Sequence, residues 1–240
     1  MSTIEPTAVN SGAGTSHTAA ITSRSEHWLP TLLSVIAGMV DVIGFLSLGI
    51  FTAHVTGNIV VIGALIVRHS RVNPAQIMAI PVFILAVAGT WLIAKASGRH
   101  GTSLMRPLLL IQFLLITCVL IFSAITKPSA NPHGLMATIA AMIAVSAMAC
   151  QFALLRLALP VAPSTAVMTG NLTNAVLGFV DSRSPTRPLM KSDSRRLTGA
   201  LHLLIGFFVG CVLATAALMY LGDWAWLLPA VLAALAVALC

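Results

Sequence analysis

Thr52-Ala53-His54-Val55-Thr56-Gly57-Asn58 returns 113 positions later as Thr165-Ala166-Val167-Met168-Thr169-Gly170-Asn171. Five of the seven positions are identical, and each copy ends in Thr-Gly-Asn, a polar triplet set where a long apolar segment stops and a short one opens. The offset is close to half of the 240 residues. A polar residue in the middle of an apolar segment precedes each copy: Asp41 lies 15 positions before Thr56, and Gln151 lies 18 before Thr169. The chain therefore reads as a duplication, with a first membrane repeat over 28–126 and a second over 134–240.

Working outward, the sequence from Trp28 divides into eight apolar segments, approximately 29–50, 53–67, 76–96, 105–125, 135–158, 165–180, 198–220 and 224–240. A hydrocarbon core about 30 Å thick takes roughly 20 helical residues to cross. Six segments approach that length; the second and sixth are short. Long runs rich in Leu, Ala and Ile predict helices, whereas a β-barrel would alternate apolar and polar residues in shorter strands. The expected fold is all-α: a polytopic helical membrane bundle of two related halves, its eight apolar segments giving six to eight spans. Four crossings per half would make a parallel repeat. Three crossings plus a re-entrant Thr-Gly-Asn hairpin would make an inverted one. Residues 1–27, ten of them Ser or Thr, predict a disordered cytoplasmic tail with nothing to bury.

Composition requires the bilayer. The chain is 58% hydrophobic, 8% charged and has a mean hydropathy of +0.98, against about 25% charge in soluble domains. That excludes a soluble enzyme, a nucleic-acid-binding domain and a disordered scaffold. The formal net charge of +7 lies between the apolar blocks, where cations set topology and meet anionic headgroups. If all eight segments cross, nine cations fall on one side and four on the other, which predicts cytoplasmic termini. Cys118, Cys150, Cys211 and Cys240 show no C-x-x-C or metal-ligand spacing, so neither a metal nor a cofactor is expected.

The candidate site residues are the polar ones in apolar surroundings. Asp41 is the single acid within a hydrophobic segment, an expensive placement unless it faces protein or a watery cavity. Ser34, Gly38, Asp41 and Phe45 fall on one helical stripe, which is expected to face inward. Gly57 and Gly170 allow a bend or a close approach. Thr56, Asn58, Thr169 and Asn171 can cap a helix start whose free N–H groups would meet an anion or a polar substrate. His54 has no counterpart in the second copy, where Val167 stands. Arg156 is expected to snorkel outward rather than to pair with Asp41.

Ala37-Gly38-Met39-Val40-Asp41, followed by Phe51-Thr52-Ala53-His54-Val55-Thr56-Gly57-Asn58, resembles the signature of the YoaK family of bacterial inner-membrane proteins. The likeness extends over roughly residues 30–220 and implies a multi-pass protein of the bacterial inner membrane, without supplying a mechanism. Together these readings predict a small secondary transporter or permease, not an enzyme. Its polar site would lie between the two halves and use Asp41, His54, Thr56, Gly57, Asn58, Gln151, Thr169, Gly170 and Asn171, with proton coupling through Asp41. The partners expected are the lipid bilayer and a small molecule or ion, with no nucleic acid; a homo-oligomer stays open. The alternatives are a membrane-embedded enzyme acting on a lipid and a non-catalytic assembly partner.

Overall fold

The computed structural model describes the backbone of residues 12–160, 162, 164–181 and 191–240, and the side chains of that set from Trp28 onward except 191–196. Among the described residues eight α-helices follow one another: α1 (Gly12–Leu48), α2 (Gly57–Val67), α3 (Pro74–Ala96), α4 (Met105–Thr126), α5 (Leu135–Ala158), α6 (Met168–Asp181), α7 (Lys191–Leu221) and α8 (Leu227–Leu239). Short 3-10 turns at Gly101–Leu104, Pro128–Ala130 and Gly222–Trp226 join the longer ones. Among the described residues there is no strand.

Each predicted apolar segment has become a helix, and local chemistry sets most boundaries. Asn73 caps α3 by accepting the Ala75 N–H at 3.0 Å, with Pro74 at the first helical position. α4 stops where Lys127 turns left-handed (φ 46°) ahead of Pro128. α1 starts at Gly12, inside the stretch expected to be a disordered tail; residues 1–11 of that stretch lie outside the described residues. A segment that prolongs an existing helix satisfies its own backbone without a core and has no nucleation cost.

Five stretches are long and apolar enough to cross a membrane: Trp28–Leu48, Pro74–Ala96, Gly101–Thr126, Leu135–Ala158 and Leu197–Leu239. The last is 43 residues, about 65 Å if straight, twice the hydrocarbon thickness. It is divided at Gly222, whose φ of +55° suits glycine, into an outward and a returning helix.

The directions follow from contacts. Call end I the end where Trp28 begins α1, and end II the end where Leu48 closes it. At end II the Asn73 amide donates to the carbonyls of Leu48 and Pro132, and the Gln76 amide donates to Gly49. The start of α3 and the α4–α5 connection therefore sit beside the exit of α1. Ser129 donates to Asp223 at 2.9 Å, which brings the α7–α8 turn to the same end. At end I, Cys240 lies close enough to Arg106 for that guanidinium to draw down a thiol that burial pushes up. Thus α1, α4 and α7 run from end I to end II, and α3, α5 and α8 run back. α2 leaves and rejoins end II, while α6, between the exit of α5 and the start of α7, does the same at end I. The two short segments are re-entrant, and six helices pass from end to end.

The central pair is α1 with α5; α7 flanks α1, α3 flanks α5, and α4 with α8 closes one side. α1 and α7 run parallel at very close range. Ser34 Oγ donates to Leu203 O at 2.6 Å. A Cβ on Gly210 would stand 2.1 Å from Val35 O, one on Gly206 would stand 2.9 Å from Thr31 O, and one on Gly38 would stand 2.3 Å from Phe207 O. Gly206 and Gly210 form the small-xxx-small pattern that lets helix backbones touch in lipid, where no hydrophobic force drives association. Replacing Gly210 with Ala is expected to cost about 1–3 kcal/mol by overpacking. Gly63→Ala in α2, with no atom within 4 Å of the added carbon, is expected to be neutral or mildly stabilising; thermal unfolding in detergent compares the two.

Candidate functional site

Asp41 sits on α1 two turns before its exit and is 4% exposed. Gly49, with φ +71°, reverses the chain there, and residues 50–54 come back down the side of α1. Gly44 leaves room for them, since a Cβ at that position would meet Thr52 Cγ2 at 2.7 Å. Thr52 Oγ1 donates to Val40 O at 3.0 Å. The N–H groups of Thr52, Ala53 and His54 then converge on Asp41 Oδ1 at 2.9, 2.7 and 3.3 Å. Its other oxygen, Oδ2, accepts from His54 Nδ1 at 2.5 Å, so the proton on that ring is placed at Nδ1. Backbone N–H groups gathered around an anion form a nest, and hydrogen bonds to a charged acceptor are the strong kind. The carboxylate that composition made expensive is held by four donors.

His54 packs edge-on against Phe207 of α7, with centroids 5.2 Å apart, and its side chain stays 30% exposed. Phe45, expected on the inward stripe with Ser34, Gly38 and Asp41, is instead 42% exposed and stacks on Phe51 at 4.6 Å. The loop returning along α1 covers the stripe and leaves Phe45 at its edge.

Asn58 closes the loop from the other side. Its Oδ1 accepts from Phe51 N at 2.9 Å and its Nδ2 donates to Phe51 O at 2.8 Å, so one buried amide satisfies both backbone polar groups of Phe51. In the second copy Asn171 Nδ2 donates to Ser164 O at 2.8 Å, across the same seven-residue separation. Position 154, where the offset would place the counterpart of Asp41, is a buried Leu. Thr165, which matches Thr52, is buried with a hydroxyl that lacks a partner among the described residues.

Gln151 belongs to a third node. Its Oε1 accepts from Gln112 Nε2 at 2.6 Å, and its Nε2 donates to Leu33 O at 2.9 Å, which ties α5 to α4 and α1. The reading of the sequence missed Gln112. Its signal was present as the one amide side chain in the apolar run of α4.

The single pocket expected from Asp41, Asn58, Gln151 and Asn171 thus resolves into three separate polar nodes. Asp41, His54 and Asn58 come together, with Thr56 and Gly57 at the start of α2 beside them; Gln151 joins Gln112; Asn171, with Thr169 and Gly170, belongs to the first turn of α6 at end I. Among the described residues no hydrogen bond links one node to another. The reason is local: Asp41, Asn58, Gln151 and Asn171 each bond to backbone groups packed against them. The helix-start N–H groups are also used. Gly57, Asn58 and Ile59 donate to His54, Val55 and Thr56, and Asn171 donates to Val167. Arg156 is exposed near the end of α5, as expected of a snorkelling cation. Among the described residues no three His, Cys, Asp or Glu side chains gather as a metal would need.

Comparison with known proteins comes from two directions. The profile of a family described as "Protein of unknown function (DUF1275)" matches residues 29–239. The UPF0700 transmembrane protein YoaK of Bacillus subtilis (strain 168) is 37% identical over 91 residues, 37% of this chain and 40% of that relative. The match spans well under half of the relative's length. No solved structure matches.

Removing the carboxylate by Asp41→Ala leaves three backbone N–H groups without their acceptor and is expected to cost about 3 kcal/mol or more. Asn58→Ala, which frees the N–H and C=O of Phe51, is expected to cost about 1–3 kcal/mol. Denaturant or thermal unfolding of the detergent-solubilised protein ranks the two.

Proposed function

The chain belongs to the DUF1275 family of membrane proteins, and on that premise we propose that it is a small secondary transporter of the bacterial inner membrane whose proton-handling site is the Asp41–His54 pair. The observation that carries this reading is a buried carboxylate bonded to a partly exposed imidazole at the tip of a re-entrant loop. A proton gained by the pair weakens the hold of Oδ1 on the three N–H groups, so protonation and the position of the loop are coupled. The transported species is a small molecule or an ion.

The arrangement of helices supports the same reading. Exchanging α1–α4 with α5–α8 turns the α1·α7 packing into α5·α3, α2·α3 into α6·α7, and α4·α5 into α8·α1, each of them an observed contact. Asn58–Phe51 and Asn171–Ser164 match under the same exchange. Re-entrant helices at opposite ends favour the inverted form of the duplication, with its axis in the membrane plane, as in many transporters. Among the described residues, six passages leave Arg68, Arg71 and Lys127 at end II and put Lys95, Arg99, Arg106, Arg156 and the start of α7, with Lys191, Arg195 and Arg196, at end I. This replaces the nine-to-four division expected from eight crossings. Positive-inside then puts end I and both termini in the cytoplasm.

A second reading, a non-catalytic membrane partner, is favoured by the complete internal pairing of Asp41, Asn58 and Gln151. One set of assays separates the two. A ligand found by thermal-shift screening of the purified protein is tested for uptake into proteoliposomes across a pH series. Uptake is expected to depend on pH in the wild type and to lose that dependence in Asp41→Asn. An unchanged pH profile would remove proton coupling, and the absence of uptake of any binder would favour the partner. In a cysteine-free background, Thr56→Cys, in the turn before α2, and Thr169→Cys, in the first turn of α6, both exposed, are expected to react with a membrane-impermeant maleimide from opposite faces, Thr56→Cys from outside the cell.

A further inference from the structure

We infer that an anionic phospholipid binds at end II, with one acyl chain in a groove between α3 and α4 and its phosphate on Arg71 and His133. Shape comes first. α3 and α4 both pack on α5, and between them runs a groove of about 390 Å³ walled by Met78 of α3, Leu115 of α4 and Leu135, Ile139 and Met142 of α5. Leu135 opens α5 and Met78 stands in the second turn of α3, so the mouth of the groove is at end II. Its far limit on α5 is Ser146, eleven residues from Leu135 and so about 16 Å deeper. That is half of the roughly 30 Å core, the depth of a single leaflet. Two hydroxyls reach the wall, but Thr138 donates to Gly134 O at 3.1 Å and Ser146 donates to Met142 O at 2.8 Å. Both hydroxyl protons are spent and the rest of the wall is apolar, with Met78 and Met142 as its adaptable parts. The guest that fits is a hydrocarbon chain.

Charge lies at the same end. The two helices that begin at the mouth are tied together there, since the Asn73 amide ahead of α3 donates to Pro132 O ahead of α5 at 3.0 Å. Arg71 stands two positions before Asn73 and His133 one position after Pro132, and both are exposed. That one bond brings Arg71 and His133 to a common rim beside Leu135. Lys127, exposed where α4 ends, gives the third groove helix a basic residue at the same end. The ion pair found among the described residues is that of His54 with Asp41, so no carboxylate neutralises Arg71 or Lys127. Asp223, the acid of the α7–α8 turn, is bonded to Ser129. A guanidinium holds a phosphate through paired N–H groups, and an imidazole adds another donor. Basic residues at the rim of a membrane helix draw anionic lipid. A second copy of the chain docked here by two-fold symmetry would set one basic rim against the other, so charge favours the lipid.

The test uses the full chain in nanodiscs of phosphatidylcholine, with and without phosphatidylglycerol, read by thermal unfolding. A second readout is covalent labelling by a phosphatidylglycerol that carries a photoreactive diazirine in one acyl chain. Phosphatidylglycerol is expected to raise Tm by mass action, and the photoprobe is expected to label the α4 and α5 peptides that wall the groove. R71Q/H133Q is expected to lose most of the rise and of the labelling. Ile139→Trp, which fills the groove, is expected to lose the labelling. R99Q/R106Q, at end I, is expected to keep both. Equal Tm in the two lipids, labelling that survives R71Q/H133Q or the groove filling, the same losses in R99Q/R106Q, or the same rise from inorganic phosphate in detergent would each overturn the site. So would a dimer in detergent that Ile139→Trp turns into a monomer, which would make the groove an interface between copies.

Discussion

A carboxylate in hydrocarbon must be surrounded by donors or lose its charge, and the first half of this molecule is arranged around that requirement. Asp41 cannot reach water, so the chain brings donors to it: three consecutive backbone N–H groups and one imidazole. To supply them, residues 50–54 must run back along α1, which requires a reversal at Gly49 and a missing side chain at Gly44. Once the loop lies there, α2 starts below the surface and climbs back to the end it came from. In this half the returning loop also supplies the donors that the buried carboxylate needs.

The second half reaches a similar shape without that charge. Leu154 stands where the offset places the acid, and Val167 stands where it places the histidine. What remains in common is the asparagine amide bonded to the peptide seven residues earlier. The shared amide closes both loops, and the Asp41–His54 contact is present in the first alone.

Backbone contact between α1 and α7 joins the halves. Gly38, Gly206 and Gly210 let carbonyls approach where any side chain would collide, and Phe207, one residue along, reaches the His54 ring. The packing that makes the interface close therefore also encloses the polar loop. Gly206 and Gly210 were legible as a spacing, but the spacing does not name the partner helix. Gln112 was legible as a buried amide, but its pairing with Gln151 depends on how α4 docks on α5. The expectation of one shared pocket failed for the same reason: it joined polar residues by type, while each had a nearer partner in the backbone, and every residue carries those groups.

Apolar run lengths, breakers and the doubled Thr-Gly-Asn determined by themselves that this is a helical membrane protein of eight segments, where each begins to within a few residues, and which residues are costly to bury. They did so because transfer into lipid depends on composition summed along a segment. Direction is another kind of quantity. An 11-residue helix such as α2, about 16 Å long, is as apolar when it returns as when it crosses. Only the folded structure, by placing Asn73 and Gln76 against the end of α1, decided that it returns. Hydropathy measures what a segment costs in lipid, and the end at which it emerges is set by hydrogen bonds between residues far apart in the chain.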